Sequence, residues 1–356
     1  METDEDREKI ARAKAFARAN AVRKRQKHGE CLHPEAGLST CRGGITAAHS
    51  IQKRGGLATI ADVSNHVLTV IPTLATLIAS EGRFTPRRIG INEASTFPGF
   101  CNGHDIIFSP IEAEELIMDD RAAFLFAYRS VCMEFFRKDN ELVTARELEG
   151  DMNALEEPRR SSALRLLAAY RPAVEKALAE VQHLKVNYDE ILLSGDLRRI
   201  RWLAVEFDGL LPIVTSASFF PEYEFTARPL QLLLSAKLID SLSLNITAFD
   251  GRSWCIFTWL DTAGPAPQAF AESFITDVPD AQKANAAVCT AFEASENIFI
   301  DPAWWGQRSE FQRERLIERT ASGTPAALRK ADCFKNFGRQ YSSVNVVRVE
   351  RWVQQP

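Results

Sequence analysis

The chain has 356 residues, 46% of them apolar and 25% charged, with a net charge of -4 and a pI near 6.0. That length allows two or three domains with a sizeable core, and the composition excludes an intrinsically disordered chain. The mild acidity excludes a uniformly basic nucleic-acid binder, so any basic surface is local, and no apolar run reaches the length of a membrane span.

Residues 1–27 read as a basic helix. Its second half carries Arg18, Arg23, Lys24, Arg25 and Lys27, while Ile10, Ala13, Phe16 and Ala17 give a weak apolar stripe. Cations at that end suit the helix dipole on a solvated helix, and they also suit an arm that contacts phosphates. The same charged start lacks the apolar stretch of a secretory signal and points to a cytoplasmic protein.

Residues 28–112 are rich in turns. Pro34 and Gly37 lie between Cys31 and Cys41, and Gly pairs bound ITAAHSIQKR. VLTVIPTLATLIA is apolar and β-branched at its start, which predicts a strand there. Residues 113–190 change to helical spacing. Leu116, Phe124, Tyr128 and Phe135 share a stripe, with initiation expected after Ser109-Pro110. A polar link or short helix is expected over 139–157. A second helix is expected over 158–186, kinked or split by Pro172.

Residues 191–356 have strand character. RWLAVEF and PIVTSASF flank Asp208-Gly209, and LSLNITAF and SWCIFTWL flank Asp250-Gly251; both pairs predict hairpins in an antiparallel sheet. Helix returns over 266–295 and 308–320. Asp301-Pro302 predicts a helix start, with one of Trp304 and Trp305 in the core. The fold class expected is α+β: a basic helix, a metal-bearing module, a helical middle and an antiparallel sheet with flanking helices.

Seven cysteines are too sparse for a disulfide framework, and Cys132, Cys255 and Cys289 sit in apolar surroundings that suit a core. The other signal is concentrated: five of six histidines and three of seven cysteines fall within 28–104. Zinc asks for four soft or borderline ligands in a tetrahedron. Cys101-x-x-His104 is a ligand pair at suitable spacing, and Cys31 and Cys41 can be folded back by Pro34 and Gly37. The expected centre is one structural zinc on Cys31, Cys41, Cys101 and His104. His49 competes with Cys31 for the last place. No phosphate-binding Gly-rich loop and no GxSxG nucleophile motif is present.

Two blocks resemble the HNH-type nuclease motif, the ββα-metal arrangement carried on a treble-clef zinc site. Ala48-His49-Ser50-Ile51 resembles its "DHI" element. Phe100-Cys101-Asn102-Gly103-His104-Asp105 resembles its downstream element, with His104 in place of the second cysteine. The resemblance covers about residues 28–112. It implies an endonuclease acting on DNA or RNA, with His49 as general base and a catalytic Mg or Mn held in part by Asp105. It further implies an orienting Asn65 or Asn92 and phosphate contacts from Lys53, Arg54, Arg83, Arg87 and Arg88. One departure matters: position 48 is Ala, which cannot hold a cation, so Glu93 or Asp62 would have to replace it. Otherwise the zinc is purely structural, and the C-terminal half binds a partner or ligand. AHSIQ, FCNGHD and NIFIDPAWW also resemble blocks of bacterial proteins, some of them connected with phage defence.

Overall fold

The computed structural model describes residues 29–70, 84–113, 115–152, 157, 159–233, 238–321, 330–335 and 338–352. The basic helix expected over 1–27, and Arg83, lie outside the described residues. The rest is an α+β fold built on an eight-stranded sheet in which every pairing is antiparallel.

Chain order gives β1 (Ile45–His49), β2 (His66–Thr69), β3 (Arg87–Gly90), β4 (Thr96–Cys101) and a one-turn helix α1 (Asn102–Asp105). Two long helices follow, α2 (Asp120–Met152) and α3 (Arg159–Ser194). Then come β5 (Ile200–Phe207), β6 (Ile213–Phe219), β7 (Leu242–Phe249), β8 (Arg252–Leu260), α4 (Pro265–Thr276), α5 (Asp280–Ala294) and β9 (Ile298–Ile300). The described chain ends with α6 (Pro302–Gly306), α7 (Glu310–Ala321) and β10 (Val346–Arg351).

The sheet order is β10-β5-β8-β7-β6-β9-β2-β3, while β1 and β4 form a separate ribbon. Strands β2 and β3 come from the turn-rich stretch yet extend the large sheet. Its central strands are buried on both faces; β5 and β8 carry mostly apolar sequences, while β7 also buries Ser243, Asn245 and Thr247. Alternation still sorts the side chains. Leu203, Val205, Ile246 and Phe257 face α4 and α5. Trp202, Ala204, Trp254 and Ile256 face α2.

Helix α2 is the centre of the molecule. Ala122 to Cys132 are all buried, and all are apolar but Arg129 and Ser130. A helix apolar on every side belongs inside. Phe124 and Tyr128 stack toward Tyr188 of α3, Phe126 meets Phe249 of the sheet, and Phe100 of β4 reaches Tyr128. Ala48, Phe97 and Phe100 therefore share one hydrophobic cluster with α2 and the sheet. Asn297 fastens the same join, donating to Ser50 Oγ at 2.8 Å and to Ser216 O at 3.0 Å.

Four expectations need correction. Helix α2 starts at Asp120 rather than after Pro110, because Ile106–Ile111 is a 3-10 turn and Asp119 Oδ1 accepts from Ala122 N at 2.7 Å. The stretch expected as a polar link or short helix is helix, but a continuation of α2 to Met152 rather than a separate element, with Leu142 and Ala145 on its buried side. Pro172 does not split α3, which runs unbroken from Arg159 to Ser194 with Leu167, Val174 and Val181 buried on both sides of it. Asp208-Gly209 closes no hairpin: β5 pairs with β8 and β10, and β6 lies beyond β7. Leu210, Leu211 and Pro212 carry the chain across to β6, and Asp208 instead accepts from Asn345 N at 2.8 Å.

The hairpin at Asp250-Gly251 forms as expected. Both residues have positive φ, 47° and 72°, as a tight two-residue turn of matching twist requires. Asp301 caps α6 through Ala303 N at 2.7 Å and Trp304 N at 3.1 Å, and Trp305 is in the core. Asp301→Ala is expected to cost about 1 kcal/mol, read as a lower denaturant midpoint at unchanged slope.

Candidate metal centre

The loop at 31–41 is pinned to the β1–β4 ribbon by main-chain bonds. Leu32 N donates to Gly99 O at 2.8 Å, Asn102 N to Gly44 O at 3.1 Å and Gly103 N to Arg42 O at 3.0 Å. Gly43 allows this approach. Its φ is +71°, and a Cβ there would sit 2.8 Å from the Asn102 side chain. Ile45 pairs with Cys101, so β1 delivers the end of the loop beside the end of β4.

Four side chains converge at that point. Cys31 Sγ and Cys101 Sγ lie 3.3 Å from His104 Nδ1, and Cys41 Sγ lies 3.8 Å from it. All four ligand atoms fall within 4.8 Å of one another. A tetrahedral ion with thiolate bonds of about 2.3 Å and an imidazole bond of about 2.0 Å gives S···N edges of about 3.5 Å. The observed separations bracket that value, so Cys31, Cys41, Cys101 and His104 could hold a metal ion.

The surroundings act in opposite directions on two of the thiols. Cys101 N donates to Cys31 Sγ at 3.4 Å. At Cys101, burial works to raise the thiol pKa, but amide bonds from His104 and Arg42 outweigh it and bring it down. At Cys31 burial prevails and pushes the thiol up. His33, 8% exposed, stacks on His104 with centroids 4.0 Å apart and planes 3° apart. Glu35 N donates to His33 Nδ1 at 3.2 Å and holds the ring in place.

Cys31, not His49, completes the group. His49 ends β1 half-buried, and its Nε2 donates to Ile91 O at 3.1 Å. A carbonyl can only accept, so Nε2 carries the proton and Nδ1 keeps a lone pair. Burial lowers the His49 pKa, the Ile91 bond opposes, and the charges of Lys53 and Arg129 lower it further, leaving a neutral ring. Ser95, itself at positive φ, fixes the following turn: its carbonyl accepts from Ser50 N at 2.8 Å and its Oγ from Ile51 N at 2.9 Å.

Asp105 lies at the end of α1, half-buried, and burial raises its pKa. Among the described residues the four-ligand group is the one cluster of three or more potential ligands, and neither His49 nor Asp105 belongs to it. Asp62 is engaged elsewhere, paired to Arg88 and capping the turn before His66. Asn65 stands at the tip of that turn with φ of 58°, and Glu93 is exposed.

One residue near His49 escaped the sequence reading. Arg129 of α2 is only 2% exposed and pairs with Glu112 at 2.8 Å. The available signal was a lone Arg in an otherwise apolar helical run. No helix of the described residues is long and apolar enough to cross a membrane. Comparison with protein-family models, with curated proteins and with solved structures finds no match for this chain.

Proposed function

We propose that the Cys31–Cys41–Cys101–His104 centre holds one structural zinc, and that the zinc fastens an HNH-like, treble-clef module onto the sheet. The observation that carries this reading is the convergence of three thiols and one imidazole at tetrahedral spacing from loop, strand end and helix start. Three cysteines and a histidine leave no open coordination position, which marks a structural rather than a catalytic zinc. The ion joins residues about seventy positions apart and fixes where β1 begins, beside the end of β4.

A second reading is phosphodiester hydrolysis on DNA or RNA with His49 as general base. Its support is specific: Cys31 takes the last ligand place, and His49 is a neutral ring with a bare Nδ1 oriented by Ile91 O. His49 would accept a proton from water at Nδ1. Against it stand Ala48 and the absence of His49 and Asp105 from any group of three or more potential metal ligands among the described residues. Incubation of the protein and of His49→Ala with plasmid, single-stranded DNA and RNA, with magnesium or manganese, separates the two readings. Cutting by the wild type and at least about a hundredfold less by His49→Ala supports hydrolysis. No cutting by either leaves the zinc as a purely structural device.

A further inference from the structure

Arg129 is the feature that the zinc reading leaves unexplained. Its side chain is 2% exposed, so its charge has been taken almost wholly out of water. Such a charge is costly unless several groups hold it. Here one carboxylate does, Glu112 Oε1 at 2.8 Å from Nη2, and Glu112 is itself 43% exposed. Among the described residues the Nε of Arg129 is buried without a hydrogen-bond partner. Phe108 lies under the guanidinium, 4.2 Å from ring centroid to Cζ, and fixes its place.

The rim around this floor is polar. Gln52, 6% exposed, donates Nε2 to Ala113 O beside Glu112, and its Oε1 is buried without a partner among the described residues. His49 lies three residues before Gln52, and exposed Lys53 follows it. The charges of Arg129 and Glu112 both bear on His49 and on Asp105. A guanidinium offers paired N–H donors that match a phosphate, and an exposed carboxylate on such a group can exchange for another oxyanion.

We propose that Arg129 is the floor of an oxyanion site that takes a phosphate group, with His49, Gln52 and Lys53 at the rim and Glu112 as the resident carboxylate that the phosphate displaces. Asp105 flanks the site from α1 and, like Glu112, opposes an anion. Removing Glu112 therefore strengthens binding. The site lies beside the base of the hydrolytic reading, but phosphate binding stands or falls without cleavage.

The test uses zinc-loaded protein titrated calorimetrically with inorganic phosphate and, separately, with a short single-stranded oligonucleotide. Glu112→Gln removes the carboxylate paired with Arg129, so its fold is checked by circular dichroism; folded, it is expected to bind inorganic phosphate about tenfold more tightly than wild type. Arg129→Gln is expected to bind none, with its fold checked by circular dichroism. Lys53→Ala, exposed and safe for folding, is expected to bind several-fold more weakly. Competition between oligonucleotide and phosphate identifies a phosphodiester as the occupant; binding of phosphate alone identifies a free phosphate ester. No saturable phosphate binding by Glu112→Gln, or equal affinity in Glu112→Gln and wild type, would overturn the proposal and leave a structural ion pair.

Discussion

Cys101→Ser is expected to lose the metal and to open the ribbon module while the large sheet stays folded. Cys101 carries more than one duty. It is a proposed ligand, it ends β4 in register with Ile45, and its thiol accepts amide bonds from Arg42 and His104. Structural zinc sites contribute roughly 10–16 kcal/mol of binding energy in small peptides, and that energy is folding energy. In this chain the module also shares the cluster of Ala48, Phe97 and Phe100 with α2, so part of its fold outlasts the metal. Hydrogen exchange is the fitting measurement. Amides of 31–49 and 96–105 should lose protection, those of β5, β7 and β8 should keep it, and chelation of the wild type should give the same pattern. Unchanged protection of the module in Cys101→Ser would contradict the metal's structural role.

Lys138→Met is expected to be the most destabilising single change outside the metal centre. Lys138, 14% exposed, lies 3.2 Å from Glu141, 3.2 Å from Glu296 and 3.5 Å from Glu134. Arg137 adds a second cation at 2.8 Å from Glu296. Burial raises the Glu141 pKa, Lys138 is the charge that holds it down, and the Lys138 ammonium is stabilised in return. Methionine keeps the stem volume but removes the cation that all three carboxylates share, while Arg137 stays beside Glu296. Breaking a buried pair from one side costs about 3–5 kcal/mol, which for a domain of this size is a fall in Tm of about 4–7 °C. The sign with pH follows from linkage. Without the cation the folded carboxylates hold protons more tightly than the unfolded ones do. The deficit is therefore full at neutral pH and shrinks as the solution is acidified. Thermal melts at pH 7 and pH 5 check both statements; a deficit independent of pH would assign the loss to packing rather than charge.

Much of this architecture can be read from local chemistry. Asp250-Gly251 alone separates β7 from β8, so a two-residue turn was the natural reading and both positive φ values agree. Asp301-Pro302 carries a side-chain cap and a pre-set φ in adjacent residues, and α6 begins there. Asp208-Gly209 looks the same over two residues, but three more residues follow before β6, and long-range pairing with β8 and β10 decides the register instead. Residues 139–152 are polar enough to suggest a link. Tertiary burial of Leu142 and Ala145 makes them helix.

The metal centre was legible because its ligands are rare residue types gathered in one stretch. What spacing could not decide was Cys31 against His49, since that choice depends on how the 31–41 loop folds back onto β4. The stacking of His33 on His104 and the approach of Arg129 to Glu112 were invisible for the same reason. Each joins residues at least seventeen positions apart, and nothing local announces the pairing.

The most direct test is the zinc content of the full chain, purified without chelator, beside that of Cys31→Ser and His49→Ala. About one equivalent in the wild type and in His49→Ala, with a large loss in Cys31→Ser, is the predicted result for a closed four-ligand site. Less than about half an equivalent in the wild type, or zinc that departs with His49 and stays without Cys31, would contradict it.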